Sequence, residues 1–110
     1  MTGDSVVRHL IAYDGRKIRS PNTQRLHIAY LHPEVLKDES RVELTVSKPN
    51  LVARGATEDT RVCYRFFTDT PVTAKYLAIV MKLLNGEGLN VTAYFTDKVK
   101  RDRVVWRKTS

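Results

Sequence analysis

The sequence predicts an α+β domain in which an N-terminal β-hairpin and two helices pack on an antiparallel sheet of about four strands. Three observations carry this. An apolar stretch near the start runs into Asp14-Gly15, a strong two-residue hairpin signal. Two helical stretches follow, bounded by Ser20-Pro21, His32-Pro33 and Lys48-Pro49-Asn50. From residue 51 the period changes to alternating β-branched and aromatic residues cut by glycine turns.

In chain order, Val6 to Tyr13 is the first strand and Arg16 to Arg19 its return. Ser20 then reads as an N-cap with Pro21 at the first helical position. That helix runs to about Leu31, because Pro33 biases His32 away from helical angles. A second helix fits Pro33 to about Ser47, with Val35, Leu36, Val42, Leu44 and Val46 as its apolar positions. Leu51-Val52-Ala53 is a short strand closed by Gly55, and Arg61 to Phe67 alternates as a second. Lys75 to Leu84 is nearly all apolar, as expected of a central strand covered on both faces. Asn85-Gly86-Glu87-Gly88 forms a hairpin loop, Leu89 to Thr96 alternates, and Arg103 to Trp106 is the last strand. The chain is one domain over 1–110: hairpin at 1–19, helical part at 20–47, sheet at 50–107.

At 110 residues, 42% hydrophobic and 28% charged, the chain is too apolar for a disordered basic tail and too short for two ordinary domains. One cysteine, Cys63, excludes an internal disulfide framework and a Cys-based zinc site, and fits a reducing, cytoplasmic setting. The start carries no basic n-region and no long apolar core, so no signal peptide is expected. The longest apolar run, Tyr76 to Met81, is far below the ~20 residues of a membrane helix, so no membrane association is expected.

Nineteen Lys and Arg face twelve Asp and Glu, a net charge of +7, and a basic domain of this kind attracts polyanions, nucleic acid above all. The excess is uneven. Lys98, Lys100, Arg101, Arg103, Arg107 and Lys108 stand against Asp102 alone, whereas residues 33–60 hold more acids than bases. A basic C-terminal segment containing Trp106 has what it takes to track a phosphate backbone and stack a base. The plainer alternative is an edge strand guarded by cations, with Trp106 in the core.

Alternation sorts strand side chains onto two faces. Asn90, Thr92, Tyr94 and Thr96 share one face of their strand, and Arg61, Cys63, Arg65 and Phe67 share one face of theirs. If those two sets lie on the same side, Arg65, Thr92 and Tyr94 make a hydrogen-bonding floor with a fixed positive charge, suited to bidentate phosphate contact. The alternative, favoured by alternation alone, is the solvent face of a half-exposed sheet. His27 and His32 flank a helix end five residues apart, a poor spacing for joint metal ligation. No carboxylate or cysteine cluster completes a site, so no metal and no cofactor is expected. A lone helix histidine such as His27 is more often structural than catalytic. His9 is assigned no role. Gly86-Glu87-Gly88 joins two strands and lacks the helix a phosphate loop requires. Cys63 is expected to be buried and inert.

Arg25-Leu26-His27-Ile28 followed by His32-Pro33-Glu34 resembles the His-Ile … His-Pro-Glu element of small prokaryotic and phage proteins. These belong to the BECR group (barnase, EndoU, colicin and RelE-like) of metal-independent nucleases. Glu43-Leu44-Thr45 with Lys48-Pro49-Asn50 and Gly55, Tyr64-Arg65-Phe66, Thr73 to Leu77, and Val91 to Thr96 continue in that group's order, over residues 18–106. One departure is Arg25, where an aromatic residue is expected. The resemblance implies two helices on an antiparallel sheet of about four strands. It also implies RNA cleavage by attack of the ribose 2′-hydroxyl on the adjacent phosphate. His27 and His32 then do acid–base work, Arg65 and Lys75 stabilise the phosphate, and Thr92 and Tyr94 orient it.

The expectation is a metal-independent ribonuclease, a toxin or phage-derived effector, with Lys98, Lys100, Arg101, Arg103, Arg107 and Lys108 holding RNA. Two alternatives stand beside it. One is a nucleic-acid-binding module without catalysis. The other is a basic interaction domain with an acidic partner, such as an antitoxin.

Overall fold

The sheet grows around the apolar run of the chain's second half. A computed structural model describes residues 7–21, 39–68 and 76–108. Strand β5 (Tyr76–Leu84) carries Leu77, Ala78 and Ile79, all fully buried because both faces of the sheet are covered there. It pairs antiparallel with β4 (Thr60–Phe66) on one side and β6 (Glu87–Thr96) on the other. β3 (Leu51–Arg54) extends the meander beyond β4. The β5–β6 connection is tighter than expected: Leu84 pairs with Glu87, and Asn85-Gly86 makes the turn with Gly86 at φ +76°, a left-handed angle.

The expected fold class is corrected at both edges of this meander. β1 (Val7–Ile11) and β2 (Lys17–Pro21) form the expected hairpin, turned at Gly15. They do not stand apart from the sheet, because β2 lies parallel to β6, with Ile18 opposite Gly88. The last strand, β7 (Val104–Arg107), crosses to the other edge and pairs with β3. The result is one seven-stranded mixed sheet, ordered β1-β2-β6-β5-β4-β3-β7. It is not a four-stranded antiparallel sheet carrying two helices. Among the described residues the only α-helix is α1 (Glu39–Ser47).

The helix expected to start at Ser20-Pro21 does not start there, since both residues close β2 opposite Arg8 and Val7. Pro21 lies past the last β2–β6 pairing, at Arg19, so its missing N–H interrupts no ladder between those strands. Residues 22–31 of that helix lie outside the described residues. So do residues 33–38 of the second, whose remainder is α1. Val42 and Val46, four apart, turn one face of α1 onto the sheet. Thr45 between them is fully buried, and its hydroxyl donates to the Arg41 carbonyl at 2.6 Å. Buried Pro49 then stops the helix and turns the chain into β3.

The helix face of the sheet holds Leu10, Ile18, Val52, Cys63, Leu77, Ile79, Met81 and Ala93. The opposite face holds Leu51, Ala53, Val62, Tyr64 and Ala78. Val104 of β7 extends it beside Ala53, and Val99, from the segment that follows β6, packs on it. That segment is therefore the lid of the second face. Burying each of these larger side chains contributes about 1.5–3 kcal/mol. A bulge in the β5–β6 ladder pairs Val80 with Thr92 but Met81 with Asn90, skipping Val91. This moves buried Asn90 to the helix face, away from Thr92, Tyr94 and Thr96, with which strict alternation groups it.

Candidate nucleic-acid interface

Cross-strand pairing decides which side chains share a face. Arg65 pairs with Leu77, and Leu77 with Phe95. Tyr64 pairs with Ala78, and Ala78 with Tyr94. Arg65 therefore lies on the helix face, while Thr92 and Tyr94 lie on the other. The expected floor of Arg65, Thr92 and Tyr94 does not form, because the thickness of the sheet separates the cation from the hydroxyls. Alternation within each strand holds at these residues, but the phase between the two strands is opposite to the one a shared floor needs. His27, His32 and Lys75 lie outside the described residues.

Arg65 is anchored. Its guanidinium donates to the Lys48 carbonyl and lies 5.8 Å from the centre of the Phe67 ring. Arg41 lies over the same ring at 5.1 Å. On the far face, burial raises the phenol of Tyr94 above its ordinary pKa. Tyr64 is raised likewise, first by burial and then by Tyr94, against a lowering hydrogen bond with the Lys100 backbone. Cys63 is fully buried, and burial, with a smaller contribution from Asp14, pushes its thiol up to about 12. It is no nucleophile at neutral pH. Among the described residues no three His, Cys, Asp or Glu gather as a metal site needs. Nor is any described helix long and apolar enough to cross a membrane.

What the fold does assemble is one end of the sheet, where β4 and β7 finish and β5 begins. Phe66 ends β4 with 46% of its surface exposed, unusual for so large an apolar side chain with a neighbouring face to pack on. Tyr76 opposes it at the start of β5, edge to face with ring centres 5.5 Å apart. Arg101 reaches from the C-terminal segment to donate to the Tyr76 hydroxyl at 3.4 Å. Asn50 ties these parts together. Its side-chain oxygen accepts from the Phe66 N–H at 2.6 Å, and its carbonyl accepts from the Lys108 N–H at 3.0 Å.

Of the six cations expected to hold nucleic acid, Lys98, Arg107 and Lys108 are exposed and lie at or next to strand ends of this corner, and Arg101 is exposed and bonded into it. Lys100 is exposed in the lid. Arg103 lies apart, donating to the Gly55 carbonyl at 3.4 Å at the sheet's other end. No family model, curated protein or solved structure matches the chain.

Sequence reasoning missed Phe66, Tyr76 and Asn50. A signal for the first was present: in Tyr64-Arg65-Phe66-Phe67, consecutive aromatics at a strand end put one ring on each face, and only one face has the helix to cover it. Asn50 carried no signal, because its contacts join positions 16 and 58 residues away.

Proposed function

We propose that the protein binds single-stranded RNA along this basic, aromatic end of the sheet. The observation that carries the proposal is exposed Phe66 beside Tyr76 and Arg101: a stacking surface next to a fixed cation, with further cations at the same corner. Aromatic faces accept any base, and the cations follow the backbone, so affinity rather than strict sequence preference is the expected product.

Fluorescence anisotropy with a labelled oligouridine across a salt series tests this. The logarithm of the binding constant should fall linearly with log salt, by about 0.7 per neutralised single-strand phosphate. Phe66→Ala should weaken binding about 5- to 150-fold, the loss of one stacked base. Arg101→Ala should both weaken binding and flatten the salt slope. A flat salt dependence, or Phe66→Ala binding like wild type, overturns the proposal.

Ribonucleolysis is the second proposal. Beyond the ordered motifs, one observation favours it: Arg65, a residue the resemblance ties to the phosphate, is held at the same end of the sheet by the Lys48 carbonyl and the Phe67 ring, on the helix face rather than the face of Phe66. Incubating the same RNA in EDTA checks it. Metal-independent products that vanish with His27→Ala support cleavage; intact RNA from a preparation that binds leaves binding alone.

A further inference from the structure

Around the edge from Phe66 lies a second aromatic surface. Tyr13, from the β1–β2 turn, is held over the helix face by its N–H, which donates to the Val46 carbonyl at 2.8 Å. There it meets Trp106 of edge strand β7, ring centres 4.9 Å apart and tilted by 45°. With Ser47, Lys48, Pro49 and Lys108 they line a cavity of about 180 Å³. That is below the roughly 300 Å³ at which drug-sized ligand sites begin, and suits one planar ring system. Its walls are mostly apolar. Pro49 is fully buried, Tyr13 and Trp106 are half-buried, and Lys48 and Lys108 are exposed. An aromatic slot with cations at its mouth matches a flat, apolar-faced ring attached to an anion.

The slot lies on the helix side of the same end of the sheet, with Phe66 on the other face. Lys108 and Phe66 are both held by Asn50, and Lys48 holds Arg65 through its carbonyl. We infer that this slot takes one nucleobase of the bound strand, stacked on Trp106, with the attached phosphate between Lys48 and Lys108. The inference rests on the RNA-binding proposal and names where that strand is gripped. Burial, and to a smaller degree Asp14, holds the Tyr13 phenol above its ordinary pKa, so it stays protonated as a hydrogen-bond donor near the ring.

Trp106 is the chain's one tryptophan, so its fluorescence reports the slot without a label. Titration with adenosine or uridine 5′-monophosphate should give saturable quenching. Lys48→Ala and Lys108→Ala should each raise the apparent Kd about two- to fivefold, as expected of exposed charge pairs. Phe66→Ala should leave the mononucleotide titration unchanged while weakening oligouridine binding. Inorganic phosphate competing as well as the mononucleotide would reduce the slot to an anion site and overturn the inference. So would an absence of quenching in a preparation that binds oligouridine with salt dependence. Quenching by mononucleotides with no binding of oligouridine would instead overturn the strand interface and keep the slot.

Discussion

Cys63 illustrates what burial does to a single side chain. It pairs with Val52 on one side and Ile79 on the other, beneath the helix, and its thiol stays protonated to about 12. In the unfolded chain the same thiol ionises near its ordinary value. Between the two values the unfolded state binds fewer protons than the native state, so stability falls as pH rises through that window. Urea unfolding from pH 8 to 10 should show wild type losing up to about 1.4 kcal/mol per pH unit relative to Cys63→Ala once the unfolded thiol titrates. A stability difference that stays constant with pH would place the thiol in a more polar setting than the structure does. The burial of Cys63 was legible from its strand; the positions of Arg65, Thr92 and Tyr94 were legible only in part. Each strand's alternation was readable, but the relative phase of β4 and β6 is set by their pairing with β5. The bulge at Val91 has no residue signature, so alternation alone puts Asn90 on the wrong face.

Among the elements, the parallel seam between β2 and β6 is what converts the expected meander into a mixed sheet. It depends on Gly88. A Cβ at this position would fall inside van der Waals contact with Cδ1 of Ile18, itself fully buried. Gly88→Ala should therefore cost about 1–3 kcal/mol by overpacking. Ile18→Val, which removes that methyl, should cost about 0.5–1.5 kcal/mol alone. The double variant should be more stable than Gly88→Ala, since the second change removes the clash made by the first. Thermal unfolding of all three checks this, and simple additivity would place the strain elsewhere. The seam is also a strand contact that local sequence does not announce. The strands from 51 onward are adjacent in sequence and their turns are explicit, so their order could be followed. The β2–β6 contact joins residues some seventy positions apart through a glycine that looked like part of a loop. Ser20-Pro21, which has the composition of a helix start, ends a strand instead because pairing with β1 outweighs the local preference.

For the whole molecule, the position of charge matters more than its total. At the turn end of the sheet, acids and bases meet in pairs: Arg19 with Glu87 at 3.2 Å, Arg16 with Asp14 at 3.6 Å, Lys82 with Asp59 at 3.7 Å. The hydroxyl of Thr57, and to a lesser degree Lys82, hold the Asp59 carboxyl below its ordinary pKa, so it keeps its negative charge opposite Lys82 at neutral pH. The other end gathers Lys48, Lys98, Arg101, Arg107 and Lys108 around Phe66 and Trp106. A polyanion attracted only by the net +7 would respond equally to charge removed anywhere on the surface. A strand seated at the aromatic corner responds to charge removed there, since other charges beyond about 8 Å are largely screened at physiological salt. Lys17→Glu with Arg54→Glu, at the turn end, and Lys98→Glu with Arg107→Glu, at the corner, lower the net charge by the same amount at exposed positions. The corner pair should weaken oligouridine binding at least tenfold more than the turn-end pair and flatten the salt slope by about 1.4, two single-strand phosphates' worth. Equal losses from the two pairs would mean that the excess charge attracts RNA diffusely and that the corner does not hold it.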